Sequence, residues 1–194
     1  MNILHVIPSI DPQSGGPARA IRHYVNLADE FGNVTLAATN EGLGEEISAQ
    51  KIHDNLSIKR TVNILLFNYL FNHSYKYSRA MQQWLNQNLE RFDVVHLHAA
   101  FSIMSTITAF KCRRKKIPYV FRPLGTLSDF SLDKGFSSGK KIYFNLFEKH
   151  TLRGARTIHA TSPREKKDIG KLTGNGNNIS VVPIPETIKH KGSR

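Results

Sequence analysis

The sequence is short of cysteine, acidic residues and long apolar runs, and each shortage closes a class of explanation. A single cysteine, Cys112, in 194 residues excludes an intrachain disulfide and a cysteine-built zinc site. Asp and Glu number 15 against 27 Lys and Arg, a formal charge of +12. Such an excess favours anionic partners: nucleic acid, phosphorylated small molecules or an acidic membrane surface. The longest nearly apolar run, Val62 to Phe71, falls well short of the ~20 residues of a spanning helix. The opening Met-Asn-Ile-Leu-His-Val-Ile-Pro has no positive n-region and meets Pro8 early, unlike a secretory leader. A soluble chain in a reducing, cytoplasmic compartment is the expectation, with peripheral contact at the inner face of a membrane left open. Also missing are a Gly-x-Gly-x-x-Gly fingerprint, a P-loop ending in Gly-Lys-Ser/Thr, zinc spacing, a Ser-His-Asp order and any nucleic-acid motif. No motif names a reaction by itself.

The residues present alternate in period. Asn2 to Pro8 is a short apolar run of the kind buried on both faces of a parallel sheet. Ser14-Gly15-Gly16-Pro17 follows, then a helical stripe of Ala18, Ile21, Tyr24, Val25, Ala28 and Phe31, stopped by Gly32. Further strands are expected at Asn33–Thr39, Leu56–Val62, Asp93–His98, Ile117–Arg122, Ala155–Ala160 and Ile179–Val182. Helices are expected over Tyr77–Phe92, from about Ile103 to Lys115, over Lys140–Leu152 and over Arg164–Leu172; Asn40–Asp54 reads as a loop or weak helix. The alternation predicts an α/β fold, a Rossmann-like doubly wound and mainly parallel sheet with helices on both faces. That domain occupies residues 1–182, and residues 183–194 have a linker's composition.

Three places carry candidate chemistry. In Ser14-Gly15-Gly16-Pro17-Ala18-Arg19, glycines let a ligand approach the backbone, free N–H groups at a helix start suit phosphate, and Arg19 adds a charge. The same turn also needs glycine for geometry alone. His96 and His98 share one strand face; such a pair can hold metal, but no third or fourth ligand is evident, and no metal is expected. His5, His96 and His159 read as hydrogen-bonded core histidines. His98 ends its strand, where open α/β sheets collect ligands, so it is the histidine to single out. Lys134, Lys140, Lys141 and Lys149 interleave with Phe136, Ile142, Tyr143, Phe144 and Phe147, a mixture that suits either an interfacial membrane helix or a soluble surface helix.

Taken together, these segments resemble the N-terminal domain of family 4 glycosyltransferases, of GT-B architecture. The resemblance is carried by Ile3-Leu4-His5-Val6-Ile7-Pro8 with the glycine turn, by Phe92 to His98, by Ile117 to Leu127 including Arg122-Pro123-Leu124-Gly125, and by His159-Ala160-Thr161-Ser162 with Glu165 and Val181-Val182-Pro183. It implies retaining transfer of a sugar from a nucleotide-sugar donor to a glycan or lipid-linked acceptor, in polysaccharide biosynthesis, with no cofactor. Gly15, Gly16, Arg19, His98, Arg122 and Gly125 would then lie at the substrate cleft, and no catalytic residue is assigned. Leu124 stands where many members carry His or Arg. The half that supplies the family's nucleotide pocket has no counterpart in these residues. The expectation is therefore a fragment or split subunit, nearly inactive without a C-terminal half-protein. Two rivals remain: a non-catalytic module for a phosphorylated or lipid-linked glycan, and a nucleic-acid-binding protein suggested by charge alone. The residues favour no nucleic acid, since no basic strand face carries stacking aromatics.

Overall fold

The computed structural model describes residues 1–40, 42–43, 49–70, 77–127, 138–173 and 178–184. Seven strands form one sheet: β1 (Asn2–Ser9), β2 (Asn33–Thr39), β3 (Asn63–Phe67), β4 (Val94–His98), β5 (Tyr119–Arg122), β6 (Thr157–Ala160) and β7 (Ile179–Val181). Their spatial order is β3-β2-β1-β4-β5-β6-β7, and every pairing is parallel. The expected doubly wound α/β sheet is the observed one. The chain moves outward from β1 in one direction, then returns to β4 and moves outward in the other. The carboxyl ends of β1 and β4 therefore flank a topological switch point, where open α/β sheets leave a crevice.

Side-chain parity along β1 explains the two cores. Ile3 and Ile7 point to one face, where α1 (Gly16–Ala28) and α2 (Ala49–Leu56) pack Ile21, Val25, Ile52 and Leu56 over Val34, Leu36 and Ile64. Leu4 and Val6 point to the other face, with Val95, Leu97, Tyr119, Phe121 and Ile158. That face is covered by α3 (Arg79–Asn88), α4 (Ile103–Lys115) and α7 (Pro163–Thr173).

Caps fix where several helices begin. Ser78 accepts from the Met81 N–H, so α3 starts at Arg79 and leaves Tyr77 outside it, and Ser102 does the same for α4 through Ser105. Lys116 in the left-handed conformation ends α4. α1 stops at Ala28, so Phe31 lies past its end and is exposed. Gly32 has a separate duty, since a Cβ there would lie 2.0 Å from the Met1 carbonyl oxygen.

Two expectations are corrected. The third strand is Asn63–Phe67, not Leu56–Val62: Leu56 closes α2, and Leu56, Ile58 and Val62 are all buried on the approach to the strand. Their spacing imitates one face of a strand, although Ser57 between them has a φ of 52°. The helix expected over Lys140–Leu152 is three pieces: α5 (Ser138–Tyr143), a π segment (Phe144–Glu148) and α6 (Lys149–Gly154). Phe144 and Glu148, four residues apart, are both buried while Ile142, Leu146 and Phe147 stay exposed. Lys134 and Phe136 lie outside the described residues.

Candidate functional site

The site is built on the face that α1 covers, where β4, β5 and β6 carry polar residues in place of an apolar core. Register aligns His5 of β1 with His96 of β4, and His98 of β4 with Arg122 of β5. Phe121 pairs with Ile158, so the pleat places His159 of β6 on the same face as Arg122. Tyr24 of α1 lies over the group, its ring edge-on to His159 at 5.4 Å between centroids. His98 and Arg122, the last residues of their strands, are both fully buried.

His5 Nδ1 and His98 Nε2 are 2.9 Å apart, a hydrogen bond in which one ring donates and the other accepts. The His96 ring sits 4.2 Å from that of His98 between centroids. His159 Nε2 lies 2.8 Å from the Val182 carbonyl. The third imidazole that sequence spacing does not reveal is thus His5. One ring nitrogen each from His5, His96 and His98 lies within 4.8 Å of the others, the arrangement by which this face could hold a metal ion. Burial, then the charge of Arg122, pushes the His5 imidazole down to about 3. His96 and His98 are also held well below the ordinary imidazole range, by burial first and then by neighbouring rings and Arg122. The imidazoles are therefore neutral at neutral pH.

Arg122 is the fixed charge. Its Cζ lies 3.7 Å from the centroid of the Tyr24 ring, and among the described residues none of its three guanidinium nitrogens has a hydrogen-bond partner. Burial lowers it to about 10, which leaves it cationic at pH 7. A desolvated cation–π contact contributes about 2 kcal/mol, whereas the effective penalty for burying an ion is several kcal/mol. The ring alone does not offset the burial.

The other sequence candidates lie along the same edge. Gly15, with a φ of 107°, precedes α1, which has no side-chain cap. A Cβ on Gly16 would meet nothing within 4 Å, so the space beside the helix start is open. Arg19 is exposed in the first turn of α1. Leu124 and Gly125 both have positive φ, 63° and 75°, and the Gly125 N–H donates to Glu165 Oε1 at 2.6 Å. Glu165 Oε2 also accepts from the Thr161 N–H at 2.7 Å and the Thr161 hydroxyl at 2.6 Å. Gly125 is thus held by a protein carboxylate, and Glu165 ties the loop after β5 to the start of α7.

Tyr24 reads in the sequence as one residue of a helical stripe, and Glu148 as one of a surface helix. Glu148 is fully buried and accepts from the Phe101 N–H at 3.2 Å. It steadies the loop after His98, where Ala99 and Phe101 have φ of 72° and 57°. Burial pushes the Glu148 carboxyl up to about 8.

The chain matches a family model described as a glycosyl transferase 4-like domain over residues 15–185. No curated protein matches it by sequence. Among solved structures it is similar to HepE of Anabaena in complex with UDP and glucose, with a TM-score of 0.62 and 14% identity over 96% of this chain and 45% of that one. Sucrose-phosphate synthase of Thermosynechococcus elongatus gives 0.61 and 10% over 94% and 48%. UDP-GlcNAc 2-epimerase of Neisseria meningitidis bound to UDP-GlcNAc gives 0.59 and 16% over 93% and 46%. The chain therefore spans less than half the length of each, and the likeness extends to the fold.

The buried imidazoles and Glu148 set opposite pH limits. Below the ordinary histidine value of 6.5 the unfolded chain takes up protons that the depressed imidazoles refuse, so acid lowers stability. Unfolded Glu148 ionises near 4.5 while the folded carboxyl keeps its proton to about 8, so stability also falls as pH rises across that interval. Urea unfolding between about pH 5 and pH 9 should give a maximum near pH 7. In Glu148→Gln the alkaline decline should flatten and the acid limb persist. An unchanged alkaline slope would show that the carboxyl is not held protonated.

Proposed function

The chain belongs to the glycosyl transferase 4-like domain family, and from that premise we propose that it forms the acceptor-side lobe of a glycosyltransferase. The reaction would move a sugar from a nucleotide-sugar donor to a hydroxyl of a glycan or lipid-linked acceptor, with retention at the anomeric carbon. The observation that carries this reading is the crevice at the carboxyl ends of β1 and β4, which brings the glycine turn, the start of α1 and His98 to one edge. In this reading the α1 N-terminus and the unobstructed backbone of Gly15 and Gly16 approach the donor diphosphate, with Arg19 beside them. His98 and Arg122 end their strands at the cleft, and Gly125 shapes its wall. Leaving-group stabilisation is usually the largest electrostatic contribution to such a transfer. The nucleotide pocket and the charges that neutralise the leaving diphosphate belong, in this reading, to a second lobe, which fits a chain spanning less than half of similar structures. Isolated, these residues should turn over little or no substrate.

Gly16 provides the test, because the protein itself leaves room for a side chain there. Gly16→Val should weaken binding of UDP-sugars about tenfold or more in saturation-transfer NMR, while the thermal midpoint moves by no more than a few degrees. Equal binding by the variant would remove the glycine turn from the site.

We further propose that a lipid-linked acceptor is met at an acidic membrane surface. Phe110, Ile142, Leu146 and Phe147 are exposed, and a cavity of about 540 Å³ between α4 and the π segment is lined by Ile107, Phe110, Leu146 and Phe147 with Lys111 and Arg113. Lys140 and Lys141 are exposed on α5 beside them. Each basic residue near an anionic surface contributes ~1 kcal/mol. Co-sedimentation should show binding to anionic but not neutral vesicles, reduced by salt and by Lys140→Glu with Lys141→Glu. Equal binding to neutral vesicles, or none to either, would contradict attachment.

A further inference from the structure

We propose that the polar face beneath α1 is a receptor for a single phosphate group, held by the Arg122 guanidinium with the Tyr24 hydroxyl and the His98 imidazole. Among the described residues, nine buried side-chain nitrogen and oxygen atoms lack a hydrogen-bond partner, and seven lie on this face: three on Arg122 and one each on Tyr24, His5, His96 and His98. Buried polar atoms in folded proteins are nearly always paired. Orphans gathered in one place mark where a ligand completes the set.

The sign of the charge selects the class of ligand. Arg122 is fully buried, and the nearby carboxylate, Glu165, already accepts three hydrogen bonds from Gly125 and Thr161. The three imidazoles that approach within metal-binding distance bring no negative charge with them. A divalent cation would add its charge to that of the guanidinium in a dry site, whereas an anion neutralises it.

The donors select among anions. A guanidinium offers five N–H groups in a planar fork. When His5 Nδ1–H donates to His98 Nε2, the one N–H proton of the neutral His98 ring sits on Nδ1, one of the unpartnered atoms. With the Tyr24 hydroxyl, the wall presents more donors than the two oxygens of a carboxylate engage well, and a tetrahedral phosphate suits it better. The phosphate site follows from this geometry alone. Its source rests on the transferase reading: the diphosphate of a nucleotide sugar, or the phosphate of a phosphorylated acceptor.

Titration calorimetry of the chain in phosphate-free buffer tests this with inorganic phosphate, UDP, geranyl phosphate and zinc chloride as probes. One equivalent of inorganic phosphate should bind. Affinity should fall about tenfold or more in Arg122→Met and in Arg122→Lys, which keeps the charge but loses the fork, and about fivefold in Tyr24→Phe. Arg122→Met should remain folded with an equal or higher thermal midpoint in buffer alone, as expected when an unpaired buried charge is replaced by an apolar chain. Preferential binding of UDP, lost in Arg122→Met, would identify the donor as the source; the same behaviour of geranyl phosphate would identify the acceptor. Absence of phosphate binding, phosphate binding untouched by either Arg122 variant, or unfolding of Arg122→Met would overturn the proposal. So would stoichiometric zinc binding, lost in His96→Ala, with no phosphate bound. Failure here leaves the Gly16→Val result to judge the transferase reading separately.

Discussion

A guanidinium buried against a tyrosine ring, with no hydrogen-bond partner among the described residues, is the constraint around which this molecule is organised. Arg122 ends β5 in full burial, and the cost of desolvating it exceeds what its contact with Tyr24 returns. The same face of the sheet carries His5, His96, His98 and His159, which burial and the neighbouring cation keep neutral. Among the described residues, apart from Glu165, whose carboxylate Gly125 and Thr161 already engage, the groups around the charge are hydrogen-bonding ones without a charge of their own. Such a face departs from the apolar rule of a buried sheet, and the departure falls on the half of the sheet beyond β1.

The winding of the chain decides where that departure sits. The elements after β1 carry α1 and α2 over Ile3, Ile7, Leu36 and Ile64, while those after β4 carry α4 and α7 over the opposite face. At the boundary the carboxyl ends of β1 and β4 open a crevice. The glycine turn enters from one side, and His98 from the other. Two buried carboxyls hold the loops around it in left-handed conformations: Glu165 grips Gly125 beside Leu124, and Glu148 grips Phe101 two residues past Ala99. The floor of the crevice is polar.

Much of this was legible in the sequence. Apolar runs such as Asn2–Pro8 and Asp93–His98 announce strands buried on both faces, and their alternation with helical stripes gives the doubly wound sheet. The position of His98 at a strand end placed it at the crevice edge. What the sequence hid depends on contacts between distant segments. His5 becomes a neighbour of His96 and His98 only through the register of β1 with β4. Tyr24 looks like any other residue of an apolar stripe until the helix lies across β4–β6. Leu56, Ile58 and Val62 imitate a strand because burial in a turn and burial in a sheet use the same residues. The π segment that carries Glu148 has no periodic signature distinguishing it from an amphipathic helix.

The state of the Arg122 guanidinium in solution is the most direct measure of whether this face awaits a ligand. Arginine-selective nitrogen-15 NMR in phosphate-free buffer should show averaged signals for the Arg122 Nη–H groups, since no described residue pairs with them. Adding phosphate should split them into resolved, downfield-shifted resonances as both arms of the fork engage. Resolved signals before any addition, unchanged by phosphate, would mean that the protein already pairs the guanidinium, and the face would then be a completed part of the core.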